Sequence, residues 1–125
     1  KLPYSQAMRV GNILFIAGQP GIDWKTGNAP EDFEGQARQA FENVRMVVEA
    51  AGSSMDRVAR TMIYIRNGGD FAMLNRIFGE FFPVNPPTRS VPVTGLPLDR
   101  DGGLREQHGS GEQQPQHAGI IAALR

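Results

Sequence analysis

Two short apolar runs lie near the start of the chain, on either side of Gly11-Asn12. The runs cover residues 6–10 and 13–17. Glycine and asparagine both tolerate positive φ, and this pair between apolar runs is typical of a two-residue hairpin turn. The second run is apolar at successive positions, which favours a central strand covered on both faces. We therefore predict a β-hairpin, followed by a loop over residues 18–30 with a turn at 23–27.

Two later segments carry apolar residues at helical spacing. Asp32 can cap the first helix and Gly52 is a natural stop, whereas Asp70 can cap the second helix and Pro83 ends it. The aromatic residues of the second stripe favour a packed core over a cofactor site. The two stripes consist of Phe33, Ala37, Ala40, Phe41, Val44, Val47, Val48 and Ala51, and of Phe71, Leu74, Ile77, Phe78, Phe81 and Phe82.

The remaining segments predict strands and a polar tail. Residues 58–65 alternate with the period of a strand, and Arg89 to Val93 form another, where Pro92 indicates an edge position or a bulge. The order β-β-α-β-α-β predicts an α+β fold with two helices against one sheet. Residues 99–117 are polar and glycine-rich, which predicts a loop or disorder, and the apolar residues 118–124 predict a closing strand or a short helix.

Composition narrows the possible functions. A chain of 125 residues predicts a single domain over residues 1–125, and 13 basic residues balance 13 acidic ones, so neither nucleic acid nor membrane is an expected partner. No cysteine is present, which excludes disulfides and thiolate chemistry. No apolar run reaches bilayer-spanning length, and we expect a cytoplasmic protein whose sequence continued before Lys1.

Arg89 is the candidate for chemistry that the residues themselves suggest. Pro86 and Pro87 restrict the backbone that leads to it, so the chain is expected to arrive extended at the start of an apolar strand. A guanidinium in such a place can bind a carboxylate, although an ordinary surface arginine beside a proline turn has the same pattern. The two histidines, His108 and His117, lie in the polar tail, where no rigid element would hold a catalytic base or a metal ligand.

Five segments of the chain also carry a family resemblance. They are Pro3-Tyr4-Ser5-Gln6-Ala7, Gly11-Asn12-Ile13-Leu14-Phe15-Ile16-Ala17-Gly18-Gln19, Gln36-Ala37-Arg38-Gln39-Ala40-Phe41-Glu42-Asn43-Val44, Glu49-Ala50-Ala51-Gly52-Ser53 and Asn85-Pro86-Pro87-Thr88-Arg89-Ser90. In this order they resemble the Rid family (YjgF/YER057c/UK114, also called endoribonuclease L-PSP), from Pro3 to about Leu98.

The resemblance implies both an architecture and a reaction. The architecture is a chorismate-mutase-like α+β sheet with two helices packed on one face, assembled as a homotrimer with ligand clefts between subunits. The reaction is hydrolysis of reactive 2-imino or enamino acids, such as 2-aminoacrylate, to 2-keto acids and ammonia. Neither a metal ion nor an organic cofactor takes part, and the expected partners are a small carboxylate substrate and further copies of the chain.

The resemblance also assigns roles to five residues. Arg89 would grip the substrate carboxylate, Tyr4 would line the cleft, and Asn75 matches an asparagine of the family's second helix. Ala17 stands where many members have Ser or Thr before Gly-Gln, so one polar contact to the ligand would be missing. Val91 stands where some members have Cys.

The tail departs from the family, whose last strand usually supplies a glutamate. Glu106 and Glu112 lie in polar, glycine-containing sequence, and residues 118–124 contain no acid. Either this chain has lost the catalytic acid, or its tail is out of register with the true gene product. A deaminase is therefore one hypothesis, and a non-catalytic trimer that binds small 2-keto or 2-imino carboxylates is the alternative. Ribonuclease or translation-inhibitor activity is disfavoured by the neutral charge.

Overall fold

A mixed sheet covered by two helices makes up the described part of the chain, residues 2–94 and 118–124, in this computed structural model. The strand order is β1-β2-β6-β4-β5, and β3 also pairs with β6. Strands β4 and β5 are parallel, and the other pairs are antiparallel. The elements are β1 Ala7–Val10, β2 Ile13–Ile16, β3 Gln19–Pro20, α1 Phe33–Ala50, β4 Val58–Ile65, α2 Phe71–Phe81, β5 Thr88–Ser90 and β6 Ala118–Leu124, with short 3₁₀ turns at Met55–Arg57 and Gly68–Asp70.

The predicted hairpin is confirmed, but its second strand is covered on one face only. Gly11 has φ +60°, and Val10 lies opposite Ile13 across the turn. Leu14 of β2 is buried, whereas Phe15 is 48% exposed. The expectation that β2 would be covered on both faces is therefore wrong within one subunit, because both helices lie on the same side of the sheet.

Helix α1 begins and ends as its sequence predicts. The Oδ1 atom of Asp32 accepts a hydrogen bond of 3.0 Å from the backbone N–H of Gly35, which satisfies one free donor of the first turn. Gly52 has φ +85°, a left-handed conformation that ends a helix with little strain on glycine.

The predicted cap of α2 is wrong. Asp70 precedes the helix, but its side chain accepts no capping hydrogen bond, because φ −88° and ψ 2° place its backbone outside the extended conformation of a usual cap. Asn67 is the residue that caps here, since its Oδ1 atom accepts a 2.8 Å hydrogen bond from the N–H of Gly69. A 3₁₀ turn over Gly68–Asp70 then leads into the helix.

Strand β5 is shorter than predicted. The ladder with β4 ends at Ser90, and Val93 makes only an isolated bridge to Ile65. Pro92 cannot donate, but its carbonyl accepts a 3.2 Å hydrogen bond from the N–H of Ile65. The edge position predicted from this proline is confirmed. Asn85 has φ +51°, so the approach to β5 is bent at this residue and not extended as expected.

The core lies between the sheet and the helices, as the apolar stripes predict. Phe41 of α1 stacks on Phe81 with ring centroids 4.9 Å apart and meets Phe78 edge to face at 6.1 Å. These rings join Ile63 and Ile65 of β4 in one buried cluster. The other face of the sheet is apolar and open, and its exposed residues are Met8, Val10, Ile13 and Phe15.

Residues 95–117 lie outside the described part of the chain, and with them the predicted polar loop at 99–117. Residues 118–124 form β6, which lies between β2 and β4. This segment therefore occupies the centre of the sheet and links the hairpin to the half that carries β5.

Candidate functional site

Arg89 reaches from the edge strand onto helix α2. It lies opposite Thr61 in the parallel ladder, and its Nη2 atom donates a hydrogen bond to Oδ1 of Asn75. The guanidinium carbon lies 4.9 Å from the ring centroid of Phe78 and 5.2 Å from that of Phe71. Phenyl faces attract a cation at such distances, so two rings and one amide hold the guanidinium in place.

The spacing of three residues on α2 explains this arrangement. Phe71, Asn75 and Phe78 stand at positions i, i+4 and i+7, which share one face of a helix. Phe78 is buried at 8% exposure, whereas Phe71 is 42% exposed beside the guanidinium. The sequence resemblance singled out Asn75 alone. The helical spacing on either side of that residue was the signal that could have identified the two rings.

Arg89 has no carboxylate partner among the described residues. One of its five N–H donors is used by Asn75, and the others remain available in that part of the chain. The planar guanidinium can therefore take a carboxylate in two parallel hydrogen bonds. Three arginines on the helical surface form ion pairs instead, namely Arg38 with Glu34 and Glu80, Arg45 with Glu42, and Arg76 with Glu34.

Neighbours of Arg89 on β5 alternate between the two faces of the sheet. Ser90 points to the face opposite the helices, where its Oγ atom lies 2.7 Å from Nη2 of Arg60. Val91 is half-buried and packs against the core. Of the five predicted site residues, the structure thus brings Arg89 and Asn75 into contact, and Val91 lies two residues further along the chain.

Tyr4 and Ala17 lie in the other half of the molecule. Tyr4 precedes β1 and is 53% exposed, and Ala17 follows β2, where its N–H donates to the carbonyl of Gln6 at 2.9 Å. Strands β2 and β5 are separated by β6 and β4, a distance of about 14 Å at the usual strand spacing. A single subunit therefore does not bring these two residues to Arg89.

Candidate acid–base residues of the tail cannot be placed in this site. His108, His117, Glu106 and Glu112 lie outside the described residues. Strand β6 contains no acidic residue, and its register places Ala118 opposite Ile65. Within residues 2–94 and 118–124, no three potential metal ligands come together and no helix is long and apolar enough to cross a membrane.

A sheet with both helices on one face, and with Arg89 on its edge strand, defines a small α+β protein. The family model described as endoribonuclease L-PSP matches residues 1–101. The chain therefore belongs to the Rid family, which confirms the resemblance and, with the structure described above, the α+β fold with two helices on one face.

Similar proteins and a similar crystal structure agree with this family assignment. A RutC family protein of Pyrococcus horikoshii is 44% identical over 99 residues, which are 78% of this chain and 79% of that protein. The protein named 2-iminobutanoate/2-iminopropanoate deaminase in Escherichia coli K12 is 38% identical over 101 residues, again 78% and 79% of the two chains. The crystal structure of RidA from an Antarctic Psychrobacter has a TM-score of 0.80 at 32% identity and covers 98% of this chain and 87% of that one.

Asp70 carries a carboxyl group whose burial is electrostatically unfavourable, and it lies next to the residues that hold Arg89. It directly precedes Phe71, and its Oδ2 atom is buried without a hydrogen-bond partner among the described residues. Burial raises the pKa of this carboxyl above its usual value. A carboxyl whose folded pKa exceeds the unfolded one destabilises the fold when ionised, and this cost vanishes below the unfolded pKa of about 3.9.

We therefore expect Asp70→Asn to raise the melting temperature at pH 7, because the amide carries no charge to desolvate. The gain should shrink as the pH falls towards about 3.5. Thermal melts from pH 3.5 to 8 would measure it, with Asp56→Asn at an exposed position as the matched control. A constant difference between Asp70→Asn and the parent protein at all pH values would show that charge burial is not the cause.

Proposed function

We propose that this protein hydrolyses reactive 2-imino or enamino acids to 2-keto acids and ammonia, with Arg89 as the anchor for the substrate carboxylate. The observation that carries the proposal is the cage of Arg89, which is formed by Asn75, Phe71 and Phe78 and contains no carboxylate among the described residues. Relatives 38–42% identical to the chain are named 2-iminobutanoate/2-iminopropanoate deaminase, which supports the same chemistry.

The proposed reaction depends more on positioning the substrate than on activating it chemically. Arg89 would bind the carboxylate and hold the adjacent C=N carbon where water can add to it. The resulting carbinolamine would expel ammonia, so that C=N becomes C=O. An enamino acid such as 2-aminoacrylate would first tautomerise to the imine, taking up a proton on carbon and losing one from nitrogen. Since the C=N carbon is already electrophilic, holding it beside a water supplies much of the acceleration.

The proposal includes assembly as a homotrimer. Tyr4 and Ala17 lie too far from Arg89 to act on the same small molecule within one subunit, so a neighbouring subunit would bring them to the site. The open face of the sheet offers an interface, because Met8, Val10, Ile13 and Phe15 expose between 41% and 60% of their surfaces. Ala17 and Val91 would then be apolar walls of the cleft.

The first functional prediction concerns Arg89. Arg89→Lys should bind 2-ketobutyrate more weakly than the parent protein, because an ammonium cannot form the planar two-point contact, and Arg89→Ala should lose both binding and ammonia release. The loss should be about 10-fold to 100-fold, as for one charged hydrogen-bonded contact. Calorimetry and ammonia release from freshly generated 2-aminoacrylate measure the two effects.

Arg76→Lys is the matched control for Arg89→Lys. Arg76 neighbours Asn75 in sequence but pairs with Glu34 and takes no part in the cage. Equal ligand binding by Arg89→Lys and the parent protein would refute the carboxylate role.

The second prediction concerns assembly. Phe15→Glu places a charge on the open face of the sheet and should convert the trimer to monomers, because a buried unpaired carboxylate is costly. Light scattering at micromolar concentration measures the mass. Met46→Glu is the control, since this methionine is 51% exposed on α1, on the helical side. If the parent protein were monomeric, no cleft would be shared between subunits, and the proposed assembly would be refuted.

The alternative function is ligand binding without efficient catalysis. It is favoured by the absence of acidic residues from β6 and by the end of the family match at residue 101. Water activation would then depend on backbone groups and solvent alone. Loss of a general acid or base typically lowers a rate by about 10²-fold to 10⁴-fold.

The third prediction separates enzyme from binding protein. The present chain should bind 2-ketobutyrate clearly but turn over 2-iminobutyrate far more slowly than the deaminase of Escherichia coli. Replacing residues 118–124 by a family-like strand that contains a glutamate should restore the rate, and the same strand with glutamine should not. If the present chain already matches the rate of the Escherichia coli protein, no tail glutamate is needed.

A further inference from the structure

We propose a second anion-binding site in this protein, a pocket for a phosphate dianion or a phosphate monoester. It is formed where the β1–β2 hairpin, the end of α1 and the start of β4 meet. The pocket has a volume of about 430 Å³ and is lined by Arg9, Asn12, Leu14, Gly52, Ser53 and Arg57. Two arginines line this space, and none of its described lining residues is acidic.

The arginines of this pocket differ from others in the described part of the chain. Arg57 is exposed and has neither a hydrogen-bond acceptor nor a carboxylate for its side chain among the described residues. Arg9 donates one hydrogen bond of 3.2 Å, to the carbonyl of Ala51, and has no carboxylate partner there either. By contrast, carboxylate partners are present for three arginines on the helical surface, namely Arg38, Arg45 and Arg76.

A buried hydroxyl group gives independent support for a ligand. Ser53 is a residue of the pocket lining, and its Oγ atom is buried without a hydrogen-bond partner among the described residues. An unsatisfied buried hydroxyl costs free energy, and rotation of this side chain towards the pocket would let it donate to an anion. Asn12, at the hairpin turn, adds an amide donor at the rim. The free donors therefore come from two arginines, a serine and an asparagine.

The nearby carboxylates do not neutralise the arginines of this pocket. Asp56 precedes Arg57, but its Oδ1 atom accepts a hydrogen bond from the Ser54 hydroxyl and the residue does not line the pocket. Glu49 lies on the last turn of α1 and faces a different concavity, together with Arg45. Among the described residues the pocket therefore keeps a formal charge of +2, which matches a phosphate dianion.

A purely structural role explains Arg9 but not Arg57. A cation near the last carbonyls of a helix stabilises it, and Arg9 does this at the end of α1. Arg57 makes no such contact, yet it lies at the same pocket. A site for a dianion accounts for both arginines, and also for a serine hydroxyl and a lining that have neither a partner nor an acid among the described residues.

The pocket is also separate from the surface assigned to assembly. Arg9 lies opposite Leu14 in the hairpin ladder, and Leu14 is buried under the helices. Met8 and Phe15 form the adjacent pair and lie on the open face. Because neighbouring pairs point to opposite faces, trimer formation through the open face would leave this pocket accessible.

Calorimetric titration with inorganic phosphate and with glycerol 3-phosphate, at constant ionic strength, tests the proposal on the assembled protein. Both probes should bind saturably. Arg57→Gln should weaken binding at least about tenfold, as expected for loss of a charged contact, and Ser53→Ala should weaken it less. Arg76→Gln removes one charge elsewhere and should leave binding within about twofold, since exposed distant charges are screened.

The same titration with Arg89→Ala distinguishes the two anion sites. We expect Arg89→Ala to bind phosphate like the parent protein, whereas Arg57→Gln should keep deaminase activity and 2-ketobutyrate binding. Retained phosphate binding by Arg57→Gln would overturn the second site, as would a titration of the parent protein that never saturates. Loss of phosphate binding in Arg89→Ala alone would mean that phosphate occupies the carboxylate site.

Discussion

Both helices pack on the same face of the sheet, and the position of every other feature depends on this one-sided packing. Phe41 and the rings of α2 bury that face together with Ile63 and Ile65 of β4. The packing leaves the opposite face apolar and exposed around Phe15, and it is this face through which assembly is proposed. It also fixes α2 beside the edge strand β5, so that one face of the helix meets Arg89.

The packing of the aromatic core positions Arg89, the residue that is proposed to bind the substrate carboxylate. The aromatic core extends to the surface through Phe78 and Phe71, and these rings hold a guanidinium that has no acid partner in the described residues. A charged group placed in this way is stabilised by ring faces and an amide, which leave most of its donors free. The proposed catalysis would then depend on what else reaches the ligand, for which Tyr4 of a neighbouring subunit is the proposed candidate.

Much of the fold could be predicted from local patterns. Asp32 and Gly52 define α1 because capping is a local property, and Gly11-Asn12 defines the hairpin for the same reason. Asp70 misled the prediction because a 3₁₀ turn from Asn67 displaced it from the usual cap geometry. The coverage of β2 was overestimated, since successive apolar residues in a sequence do not show which faces of a strand the helices cover.

The candidate site was less accessible to sequence reasoning. Arg89 stood out through its proline-rich approach and the family motif, but its two rings were assigned only to the core. The pocket at Arg9 and Arg57 has no motif, because its residues come from two segments far apart in sequence, residues 9–14 and 52–57. Such sites depend on tertiary contacts and become visible only when the fold is known.

A crystal structure of the assembled protein with 2-ketobutyrate would test the role of Arg89 most directly. We expect both carboxylate oxygens of the ligand to lie within hydrogen-bond distance of the Arg89 guanidinium, with Tyr4 of a neighbouring subunit against its aliphatic part. A ligand bound away from Arg89, or a cleft completed within a single subunit, would contradict the proposed shared site.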